Sequence, residues 1–224
     1  MTRKTEGPDN DPDLSKEEKI LLLIDQKADL SEEIAQVIME EPQLLDTVLQ
    51  SIYSETGRVK FRCAKILKII SLKKPEILME HWNFFVNLLE SENKIILWNA
   101  LDIIANLTAV DQEHKFDDVY PHYYKFLEDE SMVTAAHVVE NSDQIITNRP
   151  DLEGEITLKL LDINKIPRDG ECADILSGKA LGVFDKHYKS IDDKKKVLEF
   201  ALNASQSKRN ATKIRADKFM KKHD

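Results

Sequence analysis

The segment KIILWNALDIIANL, residues 94–107, has the composition of a helix that is buried around most of its circumference. Ten of its fourteen residues are apolar, and the polar residues Asn99, Asp102 and Asn106 follow one another at steps of three and four. Residues three and four apart lie on one face of a helix, so these side chains form a narrow polar stripe. The pattern is typical of a central helix in a stacked helical array.

Helical spacing of apolar residues continues on both sides of this segment, and no alternating strand pattern of comparable length competes with it. Ser15 and Glu18 have capping-box spacing. Pro42, Pro75 and Pro150 each precede a helical stretch, where proline is tolerated. We predict an all-α chain with helices at residues 15–27, 31–40, 43–54, 57–72, 75–90, 93–108, 113–128, 131–147, 151–164, 170–188, 192–204 and 207–222.

Polar composition marks the segments between and before these helices. Residues 1–14 are polar and contain Gly7, Pro8 and Pro12, which predicts a disordered N-terminal arm. The cluster NKIPRDGE, residues 164–171, predicts an inserted loop. We therefore expect residues 15–224 to form a single domain of repeated helix pairs.

A spacing of small and large apolar residues that occurs six times in the sequence, called the frame below, supports that expectation. In each frame a small residue is followed at +3 and +4 by two large apolar residues, and each frame falls on the second helix of a predicted pair. The small residues are separated by 28, 37, 35, 45 and 36 positions. The frames are Ala35/Ile38/Met39, Cys63/Ile66/Leu67, Ala100/Ile103/Ile104, Ala135/Val138/Val139, Ala180/Val183/Phe184 and Ala216/Phe219/Met220.

The segments VKFRCAKIL (59–67), IILWNALDII (95–104) and NATKIRADKFM (210–220) carry this frame in a form that resembles HEAT-repeat proteins. The resemblance covers residues 31–222 approximately. It implies a right-handed α-solenoid of about six antiparallel helix pairs, related to armadillo arrays. It also implies that the second helices line a concave face on which partners bind.

The polar stripe of residues 94–107 predicts which side chains line that face. Its three positions lie at −1, +2 and +6 from the small residue, and the same offsets can be applied to the later and earlier frames. Seven of the resulting side chains are basic and one is acidic. Trp98 lies beside the stripe and is either a contact residue or part of the core. With Trp98 included, the candidates are Arg62, Lys65, Trp98, Asn99, Asp102, Asn106, Thr134, His137, Asn141, Lys179, Lys186, Arg215, Lys218 and Lys222. A solvated face without a partner would produce the same residues, because Lys and Arg are good helix formers.

Charge is distributed unevenly along the chain. The net charge is −9, yet residues 186–224 contain twelve Lys/Arg against five Asp/Glu. An acidic body with a basic C-terminal end favours a protein or peptide partner, for which an acidic segment is one candidate. Nucleic acid is the alternative partner, bound through the basic C-terminal half. The absence of an apolar leader or spanning segment, together with only two cysteines, favours a cytoplasmic protein that does not bind membranes.

No phosphate loop, dinucleotide fingerprint or nucleophile motif is present, so the sequence favours a non-enzymatic scaffold or adaptor without a cofactor. A His/Glu metalloenzyme is a remote alternative. Its basis is two acid–imidazole neighbours, Glu80/His81 and Glu113/His114, since the HEAT-like deoxyhypusine hydroxylases bind two irons through His-Glu pairs. In this chain the order of the pair is reversed and only two pairs occur.

Overall fold

The computed structural model describes residues 14–54 and 56–223. Within these ranges the chain forms thirteen α-helices and no β-strand, which confirms the all-α prediction. The predicted disordered arm falls almost wholly on residues that lie outside the described ranges. None of the described helices has the length and apolar composition needed to cross a membrane. The chain divides into two compact units, residues 1–103 and 104–224, and the division lies within the helix of residues 94–107.

The first unit is built around one long helix. Its helices are α1 (Lys16–Asp25), α2 (Ser31–Glu40), α3 (Leu45–Ser51), α4 (Gly57–Lys73), α5 (Glu76–Met79), α6 (Trp82–Asn87) and the first part of α7 (Lys94–Leu107). Helices α1, α2 and α3 all contact α4. The predicted capping box starts α1, because Glu18 N–H donates to Ser15 Oγ at 3.2 Å and Ser15 N–H donates to Glu18 Oε2 at 2.8 Å.

The second unit stacks three long helices through direct contacts. Its helices are the last part of α7, then α8 (Lys115–Lys125), α9 (Met132–Asn148), α10 (Glu153–Leu161), α11 (Gly170–His187), α12 (Lys194–Ala204) and α13 (Asn210–His223). Helix α11 contacts both α9 and α13, and α12 packs against α13. The helices α9, α11 and α13 are the predicted second helices of consecutive pairs, so their stacking agrees with the frame.

Burial of the repeated frame follows the pattern that the sequence predicts. All six small residues of the frame have 0% exposure, and eleven of the twelve large apolar residues are buried. Met220 is the exception, with intermediate exposure. Cys63 occupies the small-residue position of its frame and is fully buried, as expected from its alignment with alanine. A small residue at this position lets adjacent helices approach closely, and the large pair fills the space beside it.

Helix boundaries differ from prediction where local hydrogen bonds tighten or replace the helix. The predicted helix at 75–90 is two helices, because His81 N–H donates to the Leu78 carbonyl at 3.0 Å, three residues back, and interrupts the regular pattern. The predicted start at residue 207 is also wrong. Ser207 Oγ accepts from Arg209 N–H at 3.0 Å in a turn, and α13 begins at Asn210.

Candidate binding groove

A groove of ≈ 510 Å³ lies along the second helices of the second unit. Its walls come from α9, α11 and α13, which the frame places one repeat apart. Five cationic and three anionic side chains line it: Lys179, Lys186, Arg215, Lys218 and Lys222, with Glu140, Asp143 and Asp185. All five cations belong to the predicted stripe, so the structure brings the basic C-terminal half of that stripe together in one cavity.

Three of the groove lysines bind a carboxylate of the preceding second helix. Lys179 on α11 pairs with Glu140 on α9. Lys186 on α11 likewise pairs with Asp143 on α9. The third pair joins α13 to α11, where Lys222 Nζ lies 2.8 Å from Asp185 Oδ1. Each pair therefore links two neighbouring long helices.

Two histidines extend this arrangement. His187 Nε2 lies 2.9 Å from Asp143 Oδ1, and His223 Nε2 lies 2.6 Å from Asp185 Oδ1. Each aspartate is thus shared by a Lys-His dipeptide, and the two dipeptides are 36 residues apart in the sequence. Burial opposes ionisation of Asp185, yet the hydrogen bonds from Lys222 and His223 hold the pKa of its carboxyl below the ordinary value.

The predicted stripe omits these carboxylates, although the sequence contains a signal for two of them. Glu140 and Asp185 both lie at +5 from the small residue of their frames. The offsets −1, +2 and +6 come from the polar residues of α7 and omit +5, because the residue of α7 at +5 is small and apolar. Asp143 lies at +8. As a result the groove is less positive than the stripe suggests, since three of its five basic side chains already bind a carboxylate within the fold.

The central part of the predicted stripe is partly buried, which corrects the prediction that it is exposed. Thr134 has 0% exposure and Asp102 has 6%. The Asp102 carboxylate binds Lys68 Nζ at 2.5 Å, which offsets the cost of burying its charge. Asn141 donates to the Tyr123 hydroxyl at 3.0 Å and Asn99 donates to the carbonyl of Ile95 at 2.8 Å. Trp98, Asn106 and His137 have intermediate exposure.

The stripe residues of the first unit make contacts that stabilise its fold. The Arg62 guanidinium donates to the carbonyls of Ile24, Gln26 and Lys27 at the end of α1. Lys65 Nζ binds Asp29 Oδ2 at 2.6 Å. This contact and hydrogen bonds from Ser31 hold the pKa of the Asp29 carboxyl far below its usual range.

The two acid–imidazole neighbours lie outside the helices. Glu80 and His81 lie between α5 and α6, and Glu113 and His114 immediately precede α8. Among the described residues, no group of three or more His, Cys, Asp or Glu side chains could hold a metal ion.

Comparisons with known proteins bear on the fold. No protein-family model matches the chain, and no curated protein matches it either. Among solved structures, the chain is similar to a crystal structure described as an engineered protein. The two share 16% sequence identity with a TM-score of 0.52, and the match covers 94% of this chain and 97% of the engineered one. At this identity the similarity concerns the all-helical fold alone.

Proposed function

We propose that the chain is a non-enzymatic binding scaffold that holds an acidic segment of a partner protein or peptide in the groove formed by α9, α11 and α13. In this proposal the helices form a HEAT-like, right-handed α-solenoid of about six antiparallel pairs, with the second helices on the concave face. A cytoplasmic setting belongs to the same proposal and is supported by the two free cysteines.

The observation that carries the proposal is the convergence of five cations from α11 and α13 on one cavity of a chain whose net charge is −9. Exposed cations in a concave site focus the local potential and attract an oppositely charged partner. The ion pairs do not saturate the groove, because five cations face three carboxylates. An acidic peptide therefore finds a net positive surface.

The neutralisation of three groove cations tests the proposal. We expect the variant with Lys186→Gln, Arg215→Gln and Lys218→Gln to lose binding of a labelled oligoglutamate peptide, measured by fluorescence anisotropy at low salt. The matched control converts the Lys194–Lys196 run of α12 to glutamine, which removes the same charge outside the groove. Equal affinities of the two variants would refute the groove as the binding surface.

Nucleic acid is the second candidate partner, supported by the same basic cavity. The peptide is favoured because a nucleic acid needs phosphate neutralisation over a footprint larger than one cavity, and the chain as a whole carries a net charge of −9. Titration with labelled single- and double-stranded oligonucleotides separates the two partners. Phosphate contacts produce an affinity that falls steeply with salt. Tight oligonucleotide binding with such a salt slope, and none of oligoglutamate, would replace the peptide proposal.

A further inference from the structure

The five groove cations differ in what they already bind. Lys179, Lys186 and Lys222 each contact a carboxylate of the neighbouring helix. Arg215 contacts no carboxylate among the described residues, and its Nη1 donates to the Gly178 carbonyl at 2.6 Å. Lys218, which is exposed, has no ion pair or hydrogen bond within the described part of the chain. Arg215 and Lys218 are therefore the cations whose charge the fold does not neutralise.

Arg215 lies beside two glycines of α11. Its guanidinium reaches the carbonyl of Gly178, and a Cβ built on Gly182 would lie 3.8 Å from its Nη1. The guanidinium thus lies against the backbone of α11, where glycine presents no side chain. One hydrogen bond uses only one of the five N–H donors of arginine, so the remaining donors stay available to a ligand.

Arg215 also lies where two cavities meet. A smaller cavity of ≈ 210 Å³ shares Glu140, Lys179 and Arg215 with the main groove and adds Arg209 to its lining. Of the three shared residues, Glu140 and Lys179 bind each other. Arg215 is left as the shared cation that can bind a ligand extending through both cavities.

From this geometry we propose that Arg215 is the carboxylate-binding anchor of the groove, and that Lys218, three residues further along α13, adds a second positive charge to the same subsite. The inference rests on the proposed function and specifies its ligand chemistry. A planar guanidinium matches a carboxylate with two parallel hydrogen bonds, whereas an ammonium acts as a point charge. The ligand is accordingly an acidic peptide with a side-chain carboxylate bound to Arg215.

The substitution Arg215→Lys tests the anchor, because it keeps the charge and removes the planar fork. With oligoglutamate as the probe, we expect about tenfold weaker binding for Arg215→Lys, which is the loss of one charge-assisted hydrogen bond. Lys218→Gln should weaken binding about threefold to tenfold. Lys213→Gln and Lys221→Gln are matched controls on the same helix, exposed and outside the lining of both cavities, and should change affinity less than about twofold.

Each outcome decides a different claim. If Arg215→Lys binds oligoglutamate as tightly as the unmodified chain, the anchor is refuted while the groove proposal stands. If the unmodified chain does not bind oligoglutamate, the proposed function fails together with the anchor. A phosphoserine peptide of equal length is a parallel probe, and Arg215-dependent binding of that peptide alone would overturn the carboxylate assignment. Lys218→Gln removes an exposed side chain without a partner, so it tests the subsite even if the Arg215 variant folds poorly.

Discussion

Two glycines four residues apart on α11 are expected to respond in opposite ways to the same substitution. Replacement of glycine by alanine inside a helix contributes about 1 kcal/mol of stability through backbone entropy when the new methyl group has space. At Gly182 the nearest atom to a new Cβ is Arg215 Nη1 at 3.8 Å, an ordinary contact distance. We therefore expect Gly182→Ala to stabilise the chain by about 0.5–1 kcal/mol.

At Gly178 the same methyl group meets α13. Its Cβ would lie 3.0 Å from Thr212 Oγ1 and 3.7 Å from Thr212 Cα. The Thr212 hydroxyl cannot move away freely, because it donates to the Asp174 carbonyl at 2.7 Å and the residue has 1% exposure. Overpacking of this kind costs about 1–3 kcal/mol. After the helix-propensity gain, Gly178→Ala should lower the free energy of unfolding by up to about 2 kcal/mol.

Thermal and urea unfolding of the two variants measure this difference. At this chain length each kcal/mol shifts Tm by about 2–4 °C, so Gly178→Ala should melt several degrees below Gly182→Ala. A double-mutant cycle with Thr212→Ala identifies the cause, since removal of Oγ1 should reduce the cost of Gly178→Ala by about 1 kcal/mol. The close-contact explanation is refuted if Gly178→Ala is as stable as Gly182→Ala.

Two further predictions concern titratable groups. Burial raises the pKa of the Cys63 thiol to about 12, whereas Cys172 is partly exposed. In the native protein, iodoacetamide at mildly alkaline pH should therefore modify Cys172 and spare Cys63 until denaturant is added. Mass spectrometry of peptides checks this, and rapid native modification of Cys63 would contradict it. The pKa of Asp185 is lowered in the folded state, so its contribution to stability is present above the unfolded pKa and is lost as pH falls through the folded pKa. Asp185→Asn should therefore lower Tm at neutral pH, and the difference from the unmodified chain should begin to shrink at about pH 4, the ordinary range of an aspartate, and disappear only at lower pH, where Asp185 becomes protonated in the folded state. A constant difference across that range would exclude this ionisation as its cause.

Part of the candidate site follows from periodicity, and part depends on contacts between neighbouring long helices. The five basic groove residues could be located because a fixed offset from a buried small residue selects one face of a helix. Their partners could not be located in that way. Asp143 and Asp185 lie at different offsets, +8 and +5, and each meets a Lys-His dipeptide on the following second helix. Such contacts depend on how far one helix is displaced along its neighbour.

The burial of the stripe residues likewise depends on neighbouring elements as well as on sequence periodicity. Thr134 and Lys179 both lie at −1 from the small residue of their frames. Lys179 is partly exposed, whereas Thr134 is fully buried. The periodic pattern specifies the face on which a side chain lies, whereas the neighbouring elements determine whether that face meets solvent.

The sequence alone determined that the chain is helical, that the residues of the six frames belong to the core, and which face of α11 and α13 carries basic side chains. These properties depend on interactions between residues three and four apart, and the sequence order contains them directly. The tertiary structure decided which cations are neutralised. Lys179, Lys186 and Lys222 bind carboxylates 37–43 residues away, while Arg215 lies against two glycines and contacts none. Charge pairing at that separation depends on the helix stacking, and it leaves Arg215 and Lys218 as the cations available to a partner.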